Sequence, residues 1–215
     1  MGDIRCSLAV YVVTSSGFVP GRDHLDVARA AVEGGAGTVQ LRAPELYARP
    51  GALLGMATEI AAVCRLHGVL FIVNDVIEVS VESGAAGVHL GQGDEVVRAR
   101  QTLGPDRLLG ISVETPEQAR AAKSLGATYL GVTVFSTATK RESRPVGLDG
   151  LREIVEATSL PVVGIGGIDA SNAQVVLSAG AAGIAVVSAV GAAMDPVAAT
   201  RELVAVVAGF NRERG

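Results

Sequence analysis

The sequence has no tryptophan, and aromatic residues make up only 3% of its 215 positions. Its hydrophobic content of 49% must therefore come mainly from alanine, valine, leucine and isoleucine. Such side chains suit parallel strands that are covered by helices. The composition thus predicts an α/β protein with a core of small aliphatic side chains.

Cysteine is scarce as well, and the charge balance is slightly acidic. Cys6 and Cys64 form no CxxC pair, which argues against a disulfide framework or a zinc site. The formal net charge of −4 argues against nucleic acid as the main partner. Met1–Arg5 is too polar for a secretory signal, and no apolar run approaches the ~20 residues that span a membrane. We therefore expect a cytoplasmic protein without nucleic-acid or membrane partners, and a homo-oligomer remains open.

Short apolar runs alternate with helical patterns along the chain. The predicted strands cover residues 8–13, 38–41, 69–73, 88–90, 108–113, 129–134, 161–165 and 184–187. The predicted helices cover residues 23–33, 53–67, 76–82, 95–103, a segment from 116, 148–157, 172–178 and 196–209. This alternation indicates parallel strands with helical crossovers, and eight such units close into a (β/α)8 TIM barrel. An open doubly wound sheet is the alternative.

No linker rich in proline or serine divides the chain, so we predict a single domain over residues 1–215 with a short frayed tail at 211–215. A glycine–alanine pair precedes each even-numbered strand: Gly35-Ala36, Gly84-Ala85, Gly126-Ala127 and Gly180-Ala181. Each glycine is expected to end a helix, and each alanine to pack beneath the barrel.

Two carboxylates follow neighbouring predicted strands, Asp75 after the third and Asp94 after the fourth. The carboxyl ends of parallel strands meet at one rim, where barrel enzymes carry their chemistry. Two acidic side chains there suit Mg²⁺, which takes one or two carboxylates and leaves other positions to water and substrate phosphates. The alternative is that both aspartates are helix N-caps.

The loops after strands seven and eight contain Gly166-Gly167 and Val187-Ser188. Paired glycines let backbone N–H groups approach an anion, and barrels frequently bind phosphate at this place. A tight turn into a helix is the alternative explanation. The position favours a monophosphate site.

A second place for an anion is predicted at the rim. The longest loop contains Thr137, Thr139 and Lys140, whose hydroxyl and ammonium groups suit phosphate oxygens, although an ordinary solvated loop would look the same. Arg42 ends a buried strand, where arginine is rare without an anionic partner. That partner is either a ligand or Glu45. With a metal, this group suits a pyrophosphate.

The three histidines contribute little to this prediction. His89 is in the middle of a strand and is expected to pack in or behind the barrel wall, without a catalytic partner. His24 lies near a helix start and His67 at a helix end.

At this level of detail the chain resembles the thiamine phosphate synthase family. The matching motifs, in the family's order, are Val39-Gln40-Leu41-Arg42, Val73-Asn74-Asp75, Val88-His89-Leu90-Gly91-Gln92-Gly93-Asp94, Gly110-Ile111-Ser112-Val113, Thr137-Ala138-Thr139-Lys140, Val163-Gly164-Ile165-Gly166-Gly167-Ile168 and Val186-Val187-Ser188-Ala189. The resemblance implies a barrel in which the nitrogen of a thiazole phosphate displaces pyrophosphate from a hydroxymethylpyrimidine diphosphate. The product would be thiamine monophosphate.

The resemblance also implies roles for the rim residues. Mg²⁺ on Asp75 and Asp94 would neutralise the leaving group, and Arg42, Lys140 and Ser112 are the expected catalytic residues. The expected substrate-binding residues are Gln40, Asn74 and Ser112 for the pyrimidine, Arg42 and Lys140 for the pyrophosphate, and Gly167, Val187 and Ser188 for the thiazole phosphate, with Thr137 and Thr139 beside it.

The chain departs from the family's pattern at four places. Pro44 replaces a usual lysine, Glu114 a usual histidine, and Val76 the usual arginine or aspartate, while the segment 131–134 is one residue shorter. These departures keep open a non-catalytic paralogue that binds a thiazole or pyrimidine phosphate. A thiazole tautomerase is a further alternative, but Thr133 stands where that branch has its histidine.

Overall fold

Eight parallel strands form a closed barrel in sequence order. The computed structural model of the chain describes residues 4–93, 95–136 and 144–214. For residues 213 and 214 it describes the backbone alone. Residues Val10 to Val12 of the first strand pair with Ile184 to Val186 of the last, which completes the ring. The predicted (β/α)8 barrel is confirmed, and the open doubly wound sheet is wrong.

The strands are short, with four or five residues each. They are β1 (Val10–Val13), β2 (Thr38–Leu41), β3 (Leu70–Asn74), β4 (Gly87–Leu90), β5 (Leu108–Ser112), β6 (Tyr129–Thr133), β7 (Val162–Ile165) and β8 (Gly183–Val186). The α-helices in the described part of the chain are α1 (Arg5–Leu8), α2 (His24–Glu33), α3 (Pro50–Leu66), α4 (Ile77–Glu82), α5 (Glu95–Leu103), α6 (Pro116–Ser124), α7 (Gly147–Glu156), α8 (Ala173–Ser178), α9 (Ser188–Gly191) and α10 (Pro196–Arg214). A 3₁₀ turn over Pro44–Leu46 follows β2.

Most predicted boundaries agree with the structure to within one to three residues. Leu8 is an exception, because it belongs to α1 and not to the first strand. The last helix, α10, continues to Arg214 and so includes most of the predicted frayed tail. The short helices α1 and α9 and the 3₁₀ turn were not predicted. Within the described ranges, no helix combines the length and apolarity that a membrane crossing requires.

The core has two layers, one between barrel and helices and a smaller one inside the barrel. The inner layer contains Leu8, which α1 carries beneath the strands and which is fully buried. A side chain at Gly37 or Gly183 would collide with the backbone of Ser7 or Leu8, so α1 lies tightly against the amino ends of the strands. The barrel is therefore filled from below, and its carboxyl rim is the side on which a ligand can enter.

The glycine–alanine repeat has the structural role that was predicted for it. Gly35, Gly84, Gly126 and Gly180 all have positive φ, a conformation that ends a helix at little cost in glycine. The alanines that follow them are all buried.

Candidate active site

A pocket opens at the carboxyl rim of the barrel. Seven residues predicted to bind substrate line it together: Gln40, Arg42, Asn74, Ser112, Gly167, Val187 and Ser188. They come from five strands, and the closed barrel brings their ends to one place. Asp94, Thr137, Thr139 and Lys140, which were also predicted to act here, lie outside the described residues.

Asp75 lies at the rim with an exposed side chain. Among the described residues it is the one non-glycine residue with a positive φ, 63°, and such conformations in other residues concentrate at functional sites. The N-cap of α4 is Val76, without a side-chain cap. The N-cap interpretation is therefore wrong for Asp75.

The carboxylate of Asp75 belongs to a compact cluster with Asn74 and Tyr47. Asn74 Nδ2 lies 2.6 Å from Asp75 Oδ2, and the Tyr47 hydroxyl donates to the same oxygen over 3.2 Å. Asn74 Nδ2 also donates to the Tyr47 hydroxyl at 3.0 Å. Partial burial raises the pKa of Tyr47 to about 12; the hydrogen bond with Asn74 opposes this rise, and the nearby carboxylate of Asp75 adds to it. Tyr47 therefore stays a neutral donor, and it is held in place by the 3₁₀ turn that Pro44 begins.

Arg42 is half-buried and faces the pocket. The alternative partner Glu45 instead binds His24, with 2.6 Å between Glu45 Oε1 and His24 Nε2. Ser16 Oγ also donates to Glu45 Oε1 at 2.8 Å. In the described part of the chain no carboxylate pairs with Arg42, so the alternative of a structural ion pair with Glu45 is wrong and the guanidinium faces the pocket without such a partner.

The loops after β7 and β8 both contribute to the pocket. Gly166 and Gly167 have φ of 92° and 60°, and a Cβ at Gly166 would lie 2.7 Å from the carbonyl oxygen of Phe135. Both the conformation and the close approach exclude larger residues there. Among the described residues no acceptor is found for the N–H groups of Gly167 and Ser188.

The short helix α9 begins at Ser188 and is held from its other end. Arg22 donates to the carbonyls of Gly191 and Ala193 at 3.1 and 2.6 Å, and to Met194 at 3.3 Å. These bonds tie α9 to the segment before α2. The position of the Ser188 N–H thus depends on Arg22, which the sequence did not indicate as a functional residue.

His89 lies inside the pocket and not behind the barrel wall. Its Nε2 is 3.0 Å from Ser112 Oγ, and its Nδ1 is 3.1 Å from the hydroxyl of Tyr129. Tyr129 in turn bonds Tyr11 at 3.0 Å, and Gln40 Nε2 donates to Tyr11 at 2.6 Å. The expectation that His89 lacks a partner in the site is wrong.

Tyr11 and Tyr129 are buried inside the barrel, 2% and 1% exposed. Burial raises the pKa of both phenols far above the ordinary value of 10; hydrogen bonds oppose this rise at Tyr11, whereas the contact with Tyr11 adds to it at Tyr129. Both hydroxyls are therefore neutral at any physiological pH, and each can donate one proton and accept others.

The family model described as thiamine monophosphate synthase matches residues 10–190. The chain belongs to this family. Two curated relatives carry the name thiamine-phosphate synthase. That of Roseiflexus sp. (strain RS-1) is 45% identical over 208 residues, which is 95% of this chain and 87% of the relative. That of Moorella thermoacetica is 44% identical over 209 residues, which is 96% and 97% of the two chains.

Solved structures agree with the family assignment. The thiamine phosphate pyrophosphorylase from Pyrococcus furiosus superimposes with a TM-score of 0.88 at 37% identity, over 97% of this chain and 99% of that one. A 3-hexulose-6-phosphate synthase at 20% identity and a TM-score of 0.66 shares the fold alone.

Three of the departures from the family's pattern can be placed in the structure. Pro44 starts the turn that presents Tyr47, and Val76 is the N-cap of α4. Glu114 is exposed, and its Oε1 accepts from the backbone N–H of Arg144 at 3.4 Å. Pro44 and Val76 thus lie beside the cluster of Tyr47, Asn74 and Asp75, and Glu114, which follows β5, contacts the end of the loop after β6.

Proposed function

We propose that the chain is a thiamine phosphate synthase, which joins hydroxymethylpyrimidine diphosphate to thiazole phosphate and releases pyrophosphate. One observation supports this most directly. One pocket is lined by the neutral polar groups of Gln40, Asn74 and Ser112 together with Arg42, Gly167 and Ser188. Among the described residues, the guanidinium of Arg42 has no carboxylate partner and the N–H groups of Gly167 and Ser188 have no acceptor. Such a pocket suits a neutral ring held between two anionic groups.

The thiazole phosphate would bind at the glycine side of the pocket. The N–H groups of Gly167 and Ser188 have no acceptor among the described residues, and a Cβ at Gly166 would collide with the carbonyl oxygen of Phe135, so this turn requires glycine. Backbone donors of this kind bind phosphate without needing a charged side chain. Val187, as the residue before α9, would shape the edge of this site.

The pyrophosphate would lie on the Arg42 side. A planar guanidinium donates to two phosphate oxygens at once, and it stays charged throughout the reaction. By the sequence motif, Lys140 would add a second cation, with Thr137 and Thr139 nearby. Neutralising the charge that develops on the departing pyrophosphate is the main catalytic need, so no side chain has to act as a nucleophile.

The residues fit Mg²⁺ at the Asp75 end of the rim. Asp75 Oδ2 accepts from Tyr47 and Asn74, whereas Oδ1 accepts no hydrogen bond from the described residues. An exposed carboxylate oriented by two donors is a typical ligand for a hard cation, and Asp94 would be the second ligand by its motif. When bound, Mg²⁺ would add positive charge against the pyrophosphate oxygens.

The proposal is tested by the reaction itself. Purified protein with Mg²⁺ and both substrates should form thiamine monophosphate, and EDTA should stop the reaction until Mg²⁺ is restored. Binding of either phosphate without product at high enzyme concentration would instead support the non-catalytic paralogue. We further propose that the protein works in the cytoplasm and that its partners are these small molecules.

The metal site is tested separately by Asp75→Asn. Asparagine tolerates the same positive φ, so the backbone should be kept while the charge is lost. We expect turnover to fall by roughly a hundredfold or more, with little change in melting temperature. Glu59→Gln, an exposed change on α3, is the control. A large loss of stability with full activity would assign Asp75 a structural role.

A further inference from the structure

Five polar side chains form an unbroken hydrogen-bonded chain at the bottom of the pocket. In order they are Gln40, Tyr11, Tyr129, His89 and Ser112, with separations of 2.6, 3.0, 3.1 and 3.0 Å between the bonded atoms. We call this group the tyrosine–histidine chain. Its two ends are residues that the proposed function assigns to the pyrimidine.

The barrel is shaped to hold these rings. Gly110 and Gly131 lie on neighbouring strands, directly against His89 and Tyr129. A Cβ at Gly131 would lie 2.9 Å from the His89 ring, and one at Gly110 would overlap both rings. The ring centroids of His89 and Tyr129 are 5.5 Å apart, and those of Tyr11 and Tyr129 are 6.1 Å apart. The tyrosine–histidine chain is thus a fixed part of the barrel interior.

The direction of the hydrogen bonds follows from the buried protons. The amide Nε2 of Gln40 can only donate, so the Tyr11 oxygen accepts from it. The remaining described partner of Tyr11 is Tyr129, to which Tyr11 must donate its own proton. If Tyr11 accepted from both neighbours, its buried proton would have no acceptor among the described residues, which is unfavourable.

The same reasoning carries the direction to the other end. Tyr129 accepts from Tyr11 and therefore donates to His89 Nδ1. A neutral imidazole that accepts at Nδ1 carries its proton on Nε2, which then donates to Ser112 Oγ. The hydroxyl proton of Ser112 is left to point into the pocket. At the first end, Gln40 keeps its carbonyl oxygen for the ligand.

We propose that Tyr11, Tyr129 and His89 are positioning residues that make Ser112 a hydrogen-bond donor and Gln40 an acceptor toward the ligand. The pocket then selects a heteroaromatic ring that carries an amino group and an unprotonated ring nitrogen. An amino group donates to the Gln40 oxygen, and the ring nitrogen accepts from Ser112. This specificity rests on the proposed function, whereas the direction of the hydrogen bonds in the tyrosine–histidine chain does not.

Rotating the amide of Gln40 by half a turn would produce the opposite set of hydrogen bonds. If Gln40 turned its carbonyl oxygen to Tyr11, every bond would reverse, His89 would carry its proton on Nδ1, and Ser112 would donate to His89. The pocket would then offer an amide donor and a hydroxyl oxygen. The two arrangements differ in the protonated nitrogen of one histidine, which can be measured.

The first experiment is ¹⁵N NMR of the full protein with labelled histidine, without substrates. The chain has three histidines, and the His89 signals are assigned by their loss in His89→Gln. We expect Nε2 to be protonated and Nδ1 to be unprotonated. A proton on Nδ1, protons on both nitrogens or a mixture of the two tautomers would overturn the proposal.

Two tyrosine variants test individual hydrogen bonds of the tyrosine–histidine chain. Tyr129→Phe removes the donor to His89 Nδ1, so the tautomer should become mixed. Tyr11→Phe leaves Tyr129 able to donate, so the tautomer should stay unchanged while Gln40 loses its partner. Tyr47→Phe, which removes a hydroxyl at the rim outside the chain, is the control and should leave the tautomer unchanged. The same tautomer in Tyr129→Phe as in the natural protein would contradict the proposed order.

Kinetics test what the chain does for recognition. In both Tyr11→Phe and Tyr129→Phe, we expect KM for the pyrimidine diphosphate to rise about tenfold, equivalent to ~1.4 kcal/mol, with KM for the thiazole phosphate unchanged. If the tyrosines had a purely structural role, KM would rise for both substrates together, and this result would overturn the proposal. If one variant does not fold, the other variant and the natural protein still decide the question.

A ligand with the reversed pattern completes the test. An analogue of the pyrimidine diphosphate with an oxo group for the amino group, and hence a protonated ring nitrogen, should bind at least about tenfold more weakly by calorimetry. Equal binding would overturn the proposed selection. Absence of synthase activity together with the expected His89 tautomer would refute the proposed function and leave the direction of the chain intact.

Discussion

Two glycines decide at the residue scale whether His89 can enter the pocket. Gly110→Ala would place a methyl group within the rings of Tyr129 and His89. Overpacking of this kind costs roughly 1–3 kcal/mol, and it should displace His89 from Ser112. We expect a lower free energy of unfolding in urea and a weaker affinity for the pyrimidine diphosphate.

The matched control for this change is Gly55→Ala on α3. A Cβ there meets nothing within 4 Å, so the change should be neutral or slightly stabilising in a helix. If Gly110→Ala behaved like Gly55→Ala, the rings would not need the space that the glycine provides.

Sequence patterns predicted most of the pocket residues but not their relations. Gln40 and Ser112 lie at or next to the carboxyl end of a strand, and the resemblance to the family assigned them to the pyrimidine. His89 and Tyr129 were missed because their strands read as apolar runs. Polar side chains that alternate with aliphatic ones in a strand can face the barrel interior, and this period of two was the available signal. The bonds between different strands have no counterpart in the spacing of the sequence.

Arg22 acts at the scale of elements, because its bonds to three carbonyls position α9. Arg22→Gln should loosen the Ser188 N–H from its place in the phosphate site. We expect KM for the thiazole phosphate to rise about tenfold, equivalent to ~1.4 kcal/mol, with KM for the pyrimidine diphosphate unchanged. Arg29→Gln, an exposed change on the helix α2 that follows Arg22, is the control. Equal effects on both substrates would mean that Arg22 only stabilises the fold.

The pair of His24 and Glu45 connects α2 to the 3₁₀ turn. Partial burial tends to raise the pKa of Glu45, but hydrogen bonds from His24, its own backbone and Ser16 outweigh burial and lower this pKa below the ordinary 4.5. A carboxylate with a lowered pKa stabilises the fold above its unfolded-state value. The contribution is lost as the pH falls through the lowered folded-state value.

Glu45→Gln should therefore be less stable than the natural protein at about pH 6, and the difference should shrink below about pH 4.5. Urea unfolding at several pH values measures this. Glu33→Gln removes an exposed carboxylate 3.3 Å from Arg201 and serves as the control. A difference that stays constant down to acid pH would show that the charge of Glu45 is not what stabilises the turn.

The boundaries of helices and strands were predicted well where the local sequence marks both ends, and poorly where tertiary contacts define them. β2 and α5 have the predicted boundaries, because apolar spacing and end residues agree there. The helices α1 and α9 have four residues each, too few for a period to be recognised. Both are stabilised by distant contacts, α1 by the strand ends and α9 by Arg22.

At the scale of the whole molecule, closure of the barrel leaves no strand at an edge. The backbone amides of β1 should exchange with solvent as slowly as those of the central β5. In an open sheet, β1 would be an edge and its amides would exchange much faster. Hydrogen exchange followed by mass spectrometry distinguishes these outcomes, and fast exchange confined to β1 and β8 would contradict a closed ring in solution.

The pairing of Val10 with Ile184 also has a consequence for synthesis. At about 5–20 residues per second, a ribosome takes on the order of ten to thirty seconds to travel from the first of these residues to the second. Throughout that time β1 lacks one of its two neighbours and exposes a row of unpaired amides. The nascent chain is therefore open to wrong strand pairing until its last strand emerges, so chaperones that bind unfinished chains should matter more for this protein than its final stability suggests.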